Sequence, residues 1–456
     1  MRKKTLTITL KNNLRLTGIQ PELKNLLMDK LEITNPKWIE NARMGRWNRG
    51  TPKVLRFYDK VRDGGLWIPR GYIRQLIFLC RHHRVIYRIN DQRRHLPPLD
   101  FSFNGKLRPF QREAVELMLS KEFGTLSSPT GSGKTIMALW ILAQRSQPAL
   151  IVVHTKDLAI QWIDRIANFL NISEDEVGTI GGGKMKIGKK VTVALVQSLY
   201  KCADKVSPHI GHLIVDECHR TPSRTFTEAV TEFDSRYMLG LTATPWRRDK
   251  LSKLIFWHLG DLHHQVNKKY LVEIGDVLSA EIIFRETDFT PFFDPVTEYS
   301  KMLSELTSDD KRNHLIAADI AQEIEQNNGV CLVLSDRKKH CETLQAILKY
   351  KFNVPSELLT GDLNTNERED VLHLLNKGQV KVLIATGQLI GEGYDCKDLS
   401  TLFLATPVRF SGRVLQYLGR ILRPAPGKNQ ARVFDYVDVK VDTLKAAANA
   451  RSKVYR

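Results

Sequence analysis

The segment SPTGSGKT (128–135) constrains the fold of this chain more strongly than any other part of the sequence. It follows the strand-like run FGTLSS and precedes the helix-like run IMALWILAQ, an order typical of a phosphate-binding loop. Glycines in such a loop let backbone N–H groups approach phosphates closely, while the lysine reaches the β- and γ-phosphates and the hydroxyl binds Mg²⁺. The residues expected to bind the nucleotide are Gly131, Ser132, Gly133, Lys134 and Thr135, and Thr135 is also an expected metal ligand.

A second acidic motif, DECH (216–219), ends the strand-like run LIVDE (213–217). Two acidic residues at a strand end are a weak signal alone, because many strand ends are acidic for solubility. Beside a phosphate loop, such a pair supplies the two carboxylates that nucleotide hydrolysis needs. We therefore predict that Asp216 holds Mg²⁺, that Glu217 orients the attacking water, and that ATP and Mg²⁺ are the cofactors.

The segment QYLGRILRP (416–424) offers positive charge for the transition state of phosphoryl transfer. Arg420 and Arg423 stand at the i, i+3 spacing of a helix, so both can face one ligand. The alternative is a solvated basic face of a helix, which this motif alone would favour. Given the phosphate loop and the acidic motif, we predict that both arginines act in catalysis with Lys134 and Glu217.

Short apolar runs alternate with helical patterns in two successive series, which indicates an α/β fold with two parallel sheets buried on both faces. The runs of the first series are ALIVVHT (149–155), TVALV (192–196), LIVDE (213–217) and MLGLTAT (238–244). Those of the second are VCLVLS (330–335), KVLIAT (381–386), TLFLAT (401–406) and RVFDYVD (432–438). We predict domains at 105–262 and 263–456, with 265–320 as a less regular linker region.

The first hundred residues differ from the rest in charge. They hold 22 Lys and Arg against 8 Asp and Glu, a net charge of +14 out of +19 for the whole chain. Alternation at 5–10 predicts a strand, two apolar helical faces follow, and Pro97-Pro98 marks a boundary. We predict a small basic α/β domain at 1–100 that binds a polyanion, most simply nucleic acid; the alternative is a solvated charged surface.

Several classes of protein are excluded by what the sequence lacks. No apolar run reaches membrane-spanning length, and the segment MRKKTLTITLKNN lacks the apolar stretch of a signal peptide. The six cysteines form no CxxC pair and no cluster with histidine. We therefore expect a cytoplasmic protein without a membrane anchor or zinc, functional as a monomer.

These motifs, taken in order, resemble those of superfamily 2 helicases. The quoted segments that match, beyond the phosphate loop and DECH, are LRPFQ (107–111), VVHTKDLAIQW (152–162), TVALVQSL (192–199), LTATPWRRD (241–249), VCLVLSDRKKH (330–340), LLTGDLNTNERED (358–370), VLIATGQLIGEGYDCKDLS (382–400) and QYLGRILRP (416–424). The resemblance spans about 105–440 and implies two RecA-like domains in tandem, acting as an ATP-driven nucleic-acid motor.

The resemblance also implies roles for residues that no local pattern identifies. These are Gln111 for adenine, Asp395 for the ribose, Gln416 beside the two arginines in catalysis, and Thr242, Thr244 and His219 for coupling hydrolysis to domain movement. Each is carried over from the position that it holds in a matching motif.

Within the superfamily the chain resembles the XPB-like group. The N-terminal segments NPKWIENARMGRWNRGTPKVLRFYD (35–59) and LWIPRGYIRQLIFLC (66–80) are similar to the DNA-binding domain of phage UvsW-type recombination helicases. This similarity implies translocation on double-stranded or branched DNA, with branch migration, fork regression and unwinding of D- or R-loops. The alternatives are an RNA helicase and the motor subunit of a restriction or defence assembly.

The basic N-terminal region supplies candidate contacts to the nucleic-acid backbone. Arginines are better suited to phosphates than aromatics are to bases, because aromatics in a small domain more often form its core. The expected phosphate contacts are Arg43, Arg46, Arg49 and Arg56. Two other motifs are set aside. GGGK (181–184) suggests a second phosphate loop, but no helix start follows it, so it predicts a tight turn. Asp435, Asp438 and Lys440 suggest a nuclease triad, but their spacing is too short, so they predict the end of a core strand.

Overall fold

The computed structural model describes residues 5–220, 224–245, 251–327, 329–387, 398–408, 414, 417–419, 421–425, 428 and 430–455. The chain divides into two compact units. The first comprises Met1–Ser128 and Gly133–Val266, and the second comprises Pro129–Ser132 and Asn267–Arg456. Across the part of the chain that is described, no helix is both long and apolar enough to span a membrane.

The N-terminal region is a small mixed α/β layer. Its elements are β1 (Leu6–Leu10), β2 (Asn13–Thr17), α1 (Pro21–Lys30), β3 (Glu32–Thr34), α2 (Pro36–Arg43), β4 (Val54–Arg56), β5 (Asp59–Lys60), β6 (Leu66–Pro69), α3 (Ile73–His82) and β7 (Tyr87–Asp91). Five strands form one sheet in the order β5-β6-β2-β1-β7, while β3 and β4 pair antiparallel as a separate ribbon. Alternation places Leu6, Ile8 and Leu10 on the buried face of β1.

The first large sheet has eight strands in the order β11-β10-β12-β9-β13-β14-β8-β15. Its elements are α4 (Pro109–Leu119), β8 (Phe123–Ser127), α5 (Lys134–Arg145), β9 (Ala149–Val153), α6 (Lys156–Leu170), β10 (Gly178–Gly181), β11 (Lys184–Lys186), β12 (Val191–Leu195), α7 (Val196–Leu199), α8 (Ala203–Val206), β13 (His212–Val215), α9 (Arg224–Thr231), β14 (Tyr237–Thr242), α10 (Ser252–Leu259) and β15 (Leu262–Gln265). All neighbouring strands are parallel except β10 and β11, which form the predicted turn at 181–184.

Parallel pairing brings the carboxyl ends of the central strands to one edge of this sheet. The phosphate loop follows β8, the acidic motif follows β13, and the segment that contains Thr244 follows β14. These three strands are adjacent, because β14 pairs with both β8 and β13. Ligands of open α/β sheets bind outside this edge, so the topology itself assembles the candidate site.

The N-terminal region and the first large sheet share part of a hydrophobic core. Leu251, Leu254 and Trp257, in and beside α10, are buried in the same cluster as the N-terminal leucines. The approach is close: a Cβ on Gly71 would lie 2.1 Å from the carbonyl oxygen of Phe256, so only glycine fits there. Buried Arg70 extends the contact, since its Nη1 donates to the Ser235 carbonyl oxygen at 2.8 Å.

The second unit contains a six-stranded sheet in the order β16-β21-β20-β17-β19-β18, with every neighbouring pair parallel. Its elements are α11 (Lys268–Glu273), β16 (Ala280–Thr287), α12 (Tyr299–Ser308), α13 (Asp310–Gln326), β17 (Val330–Ser335), α14 (Lys338–Lys351), β18 (Glu357–Leu359), α15 (Thr365–Asn376), β19 (Val382–Thr386), β20 (Leu399–Leu404), β21 (Ala431–Asp438) and α16 (Asp442–Tyr455). Two sheets of parallel strands confirm the predicted α/β class.

One strand of this sheet lies where the sequence indicates a linker region. Strand β16 (Ala280–Thr287) falls within 265–320 and forms an edge of the sheet beside β21. Only Thr287 among its eight residues is buried. An edge strand is covered incompletely, so its residues need not form the continuous apolar run that identifies a central strand.

Acidic residues of β21 form buried ion pairs in the second unit. The Asp435 carboxylate accepts from Nη2 of Arg451 at 2.6 Å, and Asp438 accepts from Nε of Arg312 at 2.8 Å. All four side chains are at most 3% exposed. These contacts agree with the prediction that Asp435 and Asp438 belong to the end of a core strand.

Candidate active site

The phosphate loop has the backbone that its glycines predict. Gly131 and Gly133 have φ of +88° and +85°, in the left-handed region that side chains disfavour. The loop is tied to its neighbours, because the Lys134 ammonium donates to the Ser128 carbonyl oxygen at 3.1 Å and the Ser128 N–H donates to the Thr242 carbonyl oxygen at 2.9 Å. Helix α5 begins at Lys134, so its N-terminal N–H groups and dipole face the place where phosphates bind.

Gln111, the residue implied for adenine, lies against this loop. It is buried on α4, and its side-chain oxygen accepts from the Arg108 N–H at 2.9 Å. A Cβ on Gly133 would lie 2.5 Å from the Gln111 side-chain nitrogen. The structure therefore brings Gln111 next to the phosphate loop, although 22 positions separate it from Gly133 in the sequence.

Asp216 is a buried carboxylate at the carboxyl end of β13. The Trp162 indole donates to its Oδ2 at 2.9 Å, and the Glu217 N–H donates to its Oδ1 at 2.8 Å. Burial, followed by the nearby Glu217 carboxylate, raises the pKa of Asp216 to about 6. The Trp162 indole and the charge of Lys134 act in the opposite direction and lower this pKa, but they do not outweigh burial.

Sequence reasoning did not identify Trp162 as a site residue. It lies on α6, within the segment 152–162 that resembles a helicase motif, and 54 positions before the carboxylate that it contacts. No local spacing signals such a contact, because it depends on how α6 packs beside β13. The buried indole orients the carboxylate while leaving its Oδ1 side to the Glu217 backbone.

A chain of polar contacts links the acidic motif to the end of β14. Glu217 has a φ of +48°, an uncommon conformation for a residue other than glycine. Its carboxylate lies 3.2 Å from Nδ1 of His219, which lies 3.1 Å from the Thr242 hydroxyl. That hydroxyl donates to the Thr244 carbonyl oxygen at 2.8 Å. Of the residues expected to couple hydrolysis to movement, His219 therefore contacts Glu217 directly, and Thr242 and Thr244 are linked to it through His219.

The residues at this edge suit Mg²⁺. Asp216 offers carboxylate oxygens and the half-buried Thr135 offers a hydroxyl, the hard oxygen ligands that this ion prefers. A buried carboxylate with a raised pKa gains most from a cation that neutralises it. Within the described ranges, no cluster of three His, Cys, Asp or Glu is arranged to hold a metal. Mg²⁺ needs none, because phosphates and water usually complete its coordination.

Three of the predicted site residues lie outside the described residues. They are Asp395, Gln416 and Arg420. Arg423, the other predicted arginine, is described and is half-buried. Its role therefore remains a prediction, as do those of the three residues.

The predicted phosphate contacts of the N-terminal region are all exposed. Arg43, Arg46 and Arg49 lie at and after the end of α2. Arg56 differs from them, because its Nε donates to Glu32 at 3.1 Å. Most aromatics of this region pack against the core as expected, including Tyr72, whereas the Trp47 side chain is 81% exposed.

Two family models match the chain. Residues 104–247 match "Type III restriction enzyme, res subunit", and residues 310–425 match "Helicase conserved C-terminal domain". Together the two matches include the phosphate loop, the acidic motif and the segment of the predicted arginines.

Curated relatives resemble the chain over most of its length. A putative ATP-dependent RNA helicase L396 of Acanthamoeba polyphaga mimivirus is 28% identical, covering 79% of this chain and 69% of the relative. The DNA 3'-5' translocase XPB2 of Sulfurisphaera tokodaii is also 28% identical, covering 70% and 79%. The ATP-dependent DNA helicase uvsW of Enterobacteria phage T4 is 25% identical, covering 77% and 73%.

Solved structures share the fold at lower identity. A fragment of a putative HsdR subunit of a type I restriction enzyme from Vibrio vulnificus gives a TM-score of 0.58 at 18% identity, covering 77% of this chain and 66% of that one. RNA-bound Dbp5 of S. cerevisiae gives 0.56 at 16% identity, covering 77% and 88%. The predicted tandem of RecA-like domains is thus the fold that these proteins share with the chain.

Proposed function

Because the chain is an ATP-dependent helicase of superfamily 2, related to the XPB and UvsW helicases, we propose that its track is double-stranded or branched DNA. The proposed work is branch migration, fork regression and the unwinding of D- and R-loops. The observation that carries this proposal is the exposed set Arg43, Arg46 and Arg49, on a region that shares a compact unit with the phosphate loop's helix. Two relatives named as acting on DNA support it.

The proposal assigns one task to each part of the chain. Residues 1–100 bind DNA, and 105–262 with 263–456 are the two motor domains. Lys134 and the N-terminus of α5 bind the phosphates of ATP, while Gln111 contacts the adenine. Asp395, Gln416, Arg420 and Arg423 complete the nucleotide contacts in the second domain.

Hydrolysis in this proposal depends on the acidic motif. Asp216 and Thr135 would hold Mg²⁺, which supplies charge neutralisation to the phosphates when bound. Glu217 orients the attacking water, and its contact with His219 makes the position of the carboxylate sensitive to Thr242 and Thr244. Loss of the terminal phosphate can then alter the end of β14, the link that a motor needs between chemistry and movement.

The decisive experiment compares ATP turnover on four tracks. Duplex DNA, single-stranded DNA, a four-way DNA junction and RNA of matched length are added to the full-length protein. We expect the junction and the duplex to stimulate turnover most, because double-stranded or branched DNA is the proposed track. Turnover with either should be at least about tenfold higher than with RNA. Greater stimulation by RNA than by either DNA duplex would refute the DNA assignment.

An RNA track is the second candidate. It is favoured by the mimiviral relative, whose name describes a putative RNA helicase at the same 28% identity as the DNA translocase XPB2. The same four-track measurement separates the two. A role as motor subunit of a restriction assembly is suggested by the name of the family model at 104–247 and would require a partner chain with nuclease activity.

A further inference from the structure

The segment between β3 and β4, residues 35–53, projects from the two-stranded ribbon. We call it the Trp47 knob; it consists of α2 and the loop that returns from α2 to β4. Helix α2 has no buried residue, and no strand of the N-terminal sheet passes through the segment. The proposed function explains its arginines but assigns nothing to its apolar side chains.

Side-chain hydrogen bonds hold the loop of the knob in one shape. Asn35 caps α2 by accepting from the Lys37 N–H at 3.0 Å, and its amide donates to the Pro52 carbonyl oxygen at 2.8 Å. Asn41 donates to the Asn48 side chain at 3.0 Å. In turn, Asn48 donates to the Trp38 carbonyl oxygen at 3.1 Å. These bonds close the loop around 42–47 and fix the backbone on both sides of Trp47.

The knob exposes three large apolar side chains to solvent. Trp47 is 81% exposed, with Met44 at 55% and Ile39 at 50%. Single exposed apolar residues are common, but a tryptophan held out by an ordered loop leaves a large area unburied. Such an exposed ring is typical of a side chain that packs against a ligand.

The charges of the knob indicate what that ligand is. Residues 35–53 contain five Lys and Arg and a single acid, Glu40. No carboxylate of the described residues lies within ion-pair distance of Arg43, Arg46 or Arg49, and the guanidinium of Arg49 lies 5.5 Å from the centroid of the Trp47 ring. A polyanion with exposed flat rings matches both features, since bases stack on aromatics while arginines bind the flanking phosphates.

We propose that Trp47 stacks on a base that is unpaired at a branch point of DNA, while Arg43, Arg46 and Arg49 bind the phosphates beside it. This inference rests on the proposed DNA track. The interior of a fully paired duplex offers no free base face, so the knob distinguishes a branch point with unpaired bases from the interior of linear duplex DNA. An acidic protein would match the charge but would not require one ring held out alone from a fixed loop.

The test measures affinity of the full-length protein for two DNAs with the same number of phosphates. One is a three-way junction with unpaired bases at the branch, including a fluorescent 2-aminopurine; the other is a perfect duplex. Trp47→Ala should weaken binding to the junction about tenfold and to the duplex less than about twofold, because stacking is lost only where a base is free. Trp47→Tyr keeps an aromatic ring, so its affinity for both DNAs should stay within about threefold of that of the normal protein.

Two further variants serve as controls. Phe292→Ala removes a side chain that is 88% exposed but stands beside Glu305, whose carboxylate accepts from the Phe292 N–H at 3.1 Å. It should leave both affinities unchanged, because its acidic surroundings repel DNA. The second control is the triple variant Arg43→Ala, Arg46→Ala and Arg49→Ala. It should weaken binding to both DNAs and reduce the slope of log K against log salt by about 0.9 for each phosphate that the variant no longer binds.

Three outcomes would overturn the inference. Equal losses on junction and duplex for Trp47→Ala would make Trp47 a general contact, and no loss on either would leave the ring to another partner. Unchanged 2-aminopurine fluorescence on binding of the normal protein would exclude stacking at the branch. The DNA track itself fails separately, when RNA stimulates ATP turnover more than DNA does. Circular dichroism of each variant verifies folding, which an exposed side chain should not affect.

Discussion

Buried acidic residues have opposite environments in the two large sheets. In the first, Asp216 is buried beside an indole and a backbone N–H, and its pKa is raised to about 6. In the second, Asp435 and Asp438 are also buried, but each is paired with an arginine. The contrast separates a carboxylate that awaits a cationic ligand from carboxylates that the fold neutralises for itself.

Energetics explain why a protein keeps both kinds. A buried ion pair often stabilises a fold no more than apolar packing would, but removal of one partner leaves an uncompensated buried charge. A buried carboxylate without a cation instead lowers stability until a ligand supplies the charge. The first arrangement is expected in a scaffold and the second in a binding site.

The largest effect is expected from residues that act on ATP at the first sheet. Lys134→Ala and Glu217→Gln should each lower ATP turnover by about a thousandfold, because they remove charge or water orientation from the transition state. Affinity for DNA should change less than about threefold, since the proposal assigns both residues to ATP and not to the track. Turnover near the normal rate in both variants would show that ATP is not hydrolysed at the edge of the first sheet.

A matched pair of substitutions tests the comparison through stability. Asp435→Asn should lower the free energy of unfolding by about 3–5 kcal/mol, because Arg451 is then buried with a neutral partner. Asp216→Asn should leave it unchanged or raise it by about 1 kcal/mol, because the amide removes a charge that burial disfavours, as the raised pKa of Asp216 indicates. Urea denaturation in the absence of nucleotide measures both. Equal destabilisation by the two variants would erase the distinction between the sheets.

An intermediate effect on ATP turnover is expected from Trp162, the residue that positions Asp216. Trp162→Phe keeps most of the volume but removes the indole N–H that reaches Asp216 at 2.9 Å. We expect turnover to fall about tenfold, with more Mg²⁺ needed for half-maximal rate, because an unoriented carboxylate binds the ion less well. The measurement is a Mg²⁺ titration of ATP turnover. A lower rate with an unchanged Mg²⁺ dependence would assign Trp162 to packing alone.

The smallest effect is expected on DNA affinity, where an arginine with an ion-pair partner is compared with one for which none is described. Arg56 already has Glu32 as a partner, whereas no ion pair of Arg46 is present in the described part of the chain. Arg56→Ala should therefore weaken duplex binding less than about twofold, and Arg46→Ala about threefold, with a shallower salt dependence only for Arg46. Salt titrations of DNA binding by the two variants provide the comparison. A larger effect at Arg56 would mean that its pairing with Glu32 opens in the complex.

Local motifs made much of the first sheet's edge predictable. The phosphate loop and DECH are short segments whose chemistry demands particular residues, so Lys134, Thr135, Asp216 and Glu217 could be named once the two motifs were taken together. The parallel sheets were predictable because both faces of each central strand are covered, which produces continuous apolar runs. Strand β16 was not, because an edge strand lacks that pattern.

Long-range packing was the part that sequence reasoning missed. The contact of Trp162 with Asp216 joins positions 54 apart and depends on the placement of α6. The exposure of Trp47 opposes the tendency of aromatics to fill small cores, so composition favoured the wrong environment for this residue while suiting Tyr72. The arginine partners of Asp435 and Asp438 likewise come from distant helices, α16 and α13.

The core that the N-terminal region shares with α10 has a mechanical consequence. If the N-terminal region binds DNA as proposed, force from the motor reaches the DNA through the connection between this region and the first sheet, and a flexible connection would absorb part of each movement. Here Leu254 and Trp257 interlock with the N-terminal leucines, and the backbones meet so closely at Gly71 that no side chain fits between them. Force applied at the N-terminal region is therefore transmitted directly to the first sheet, and we expect the two to move as one rigid body.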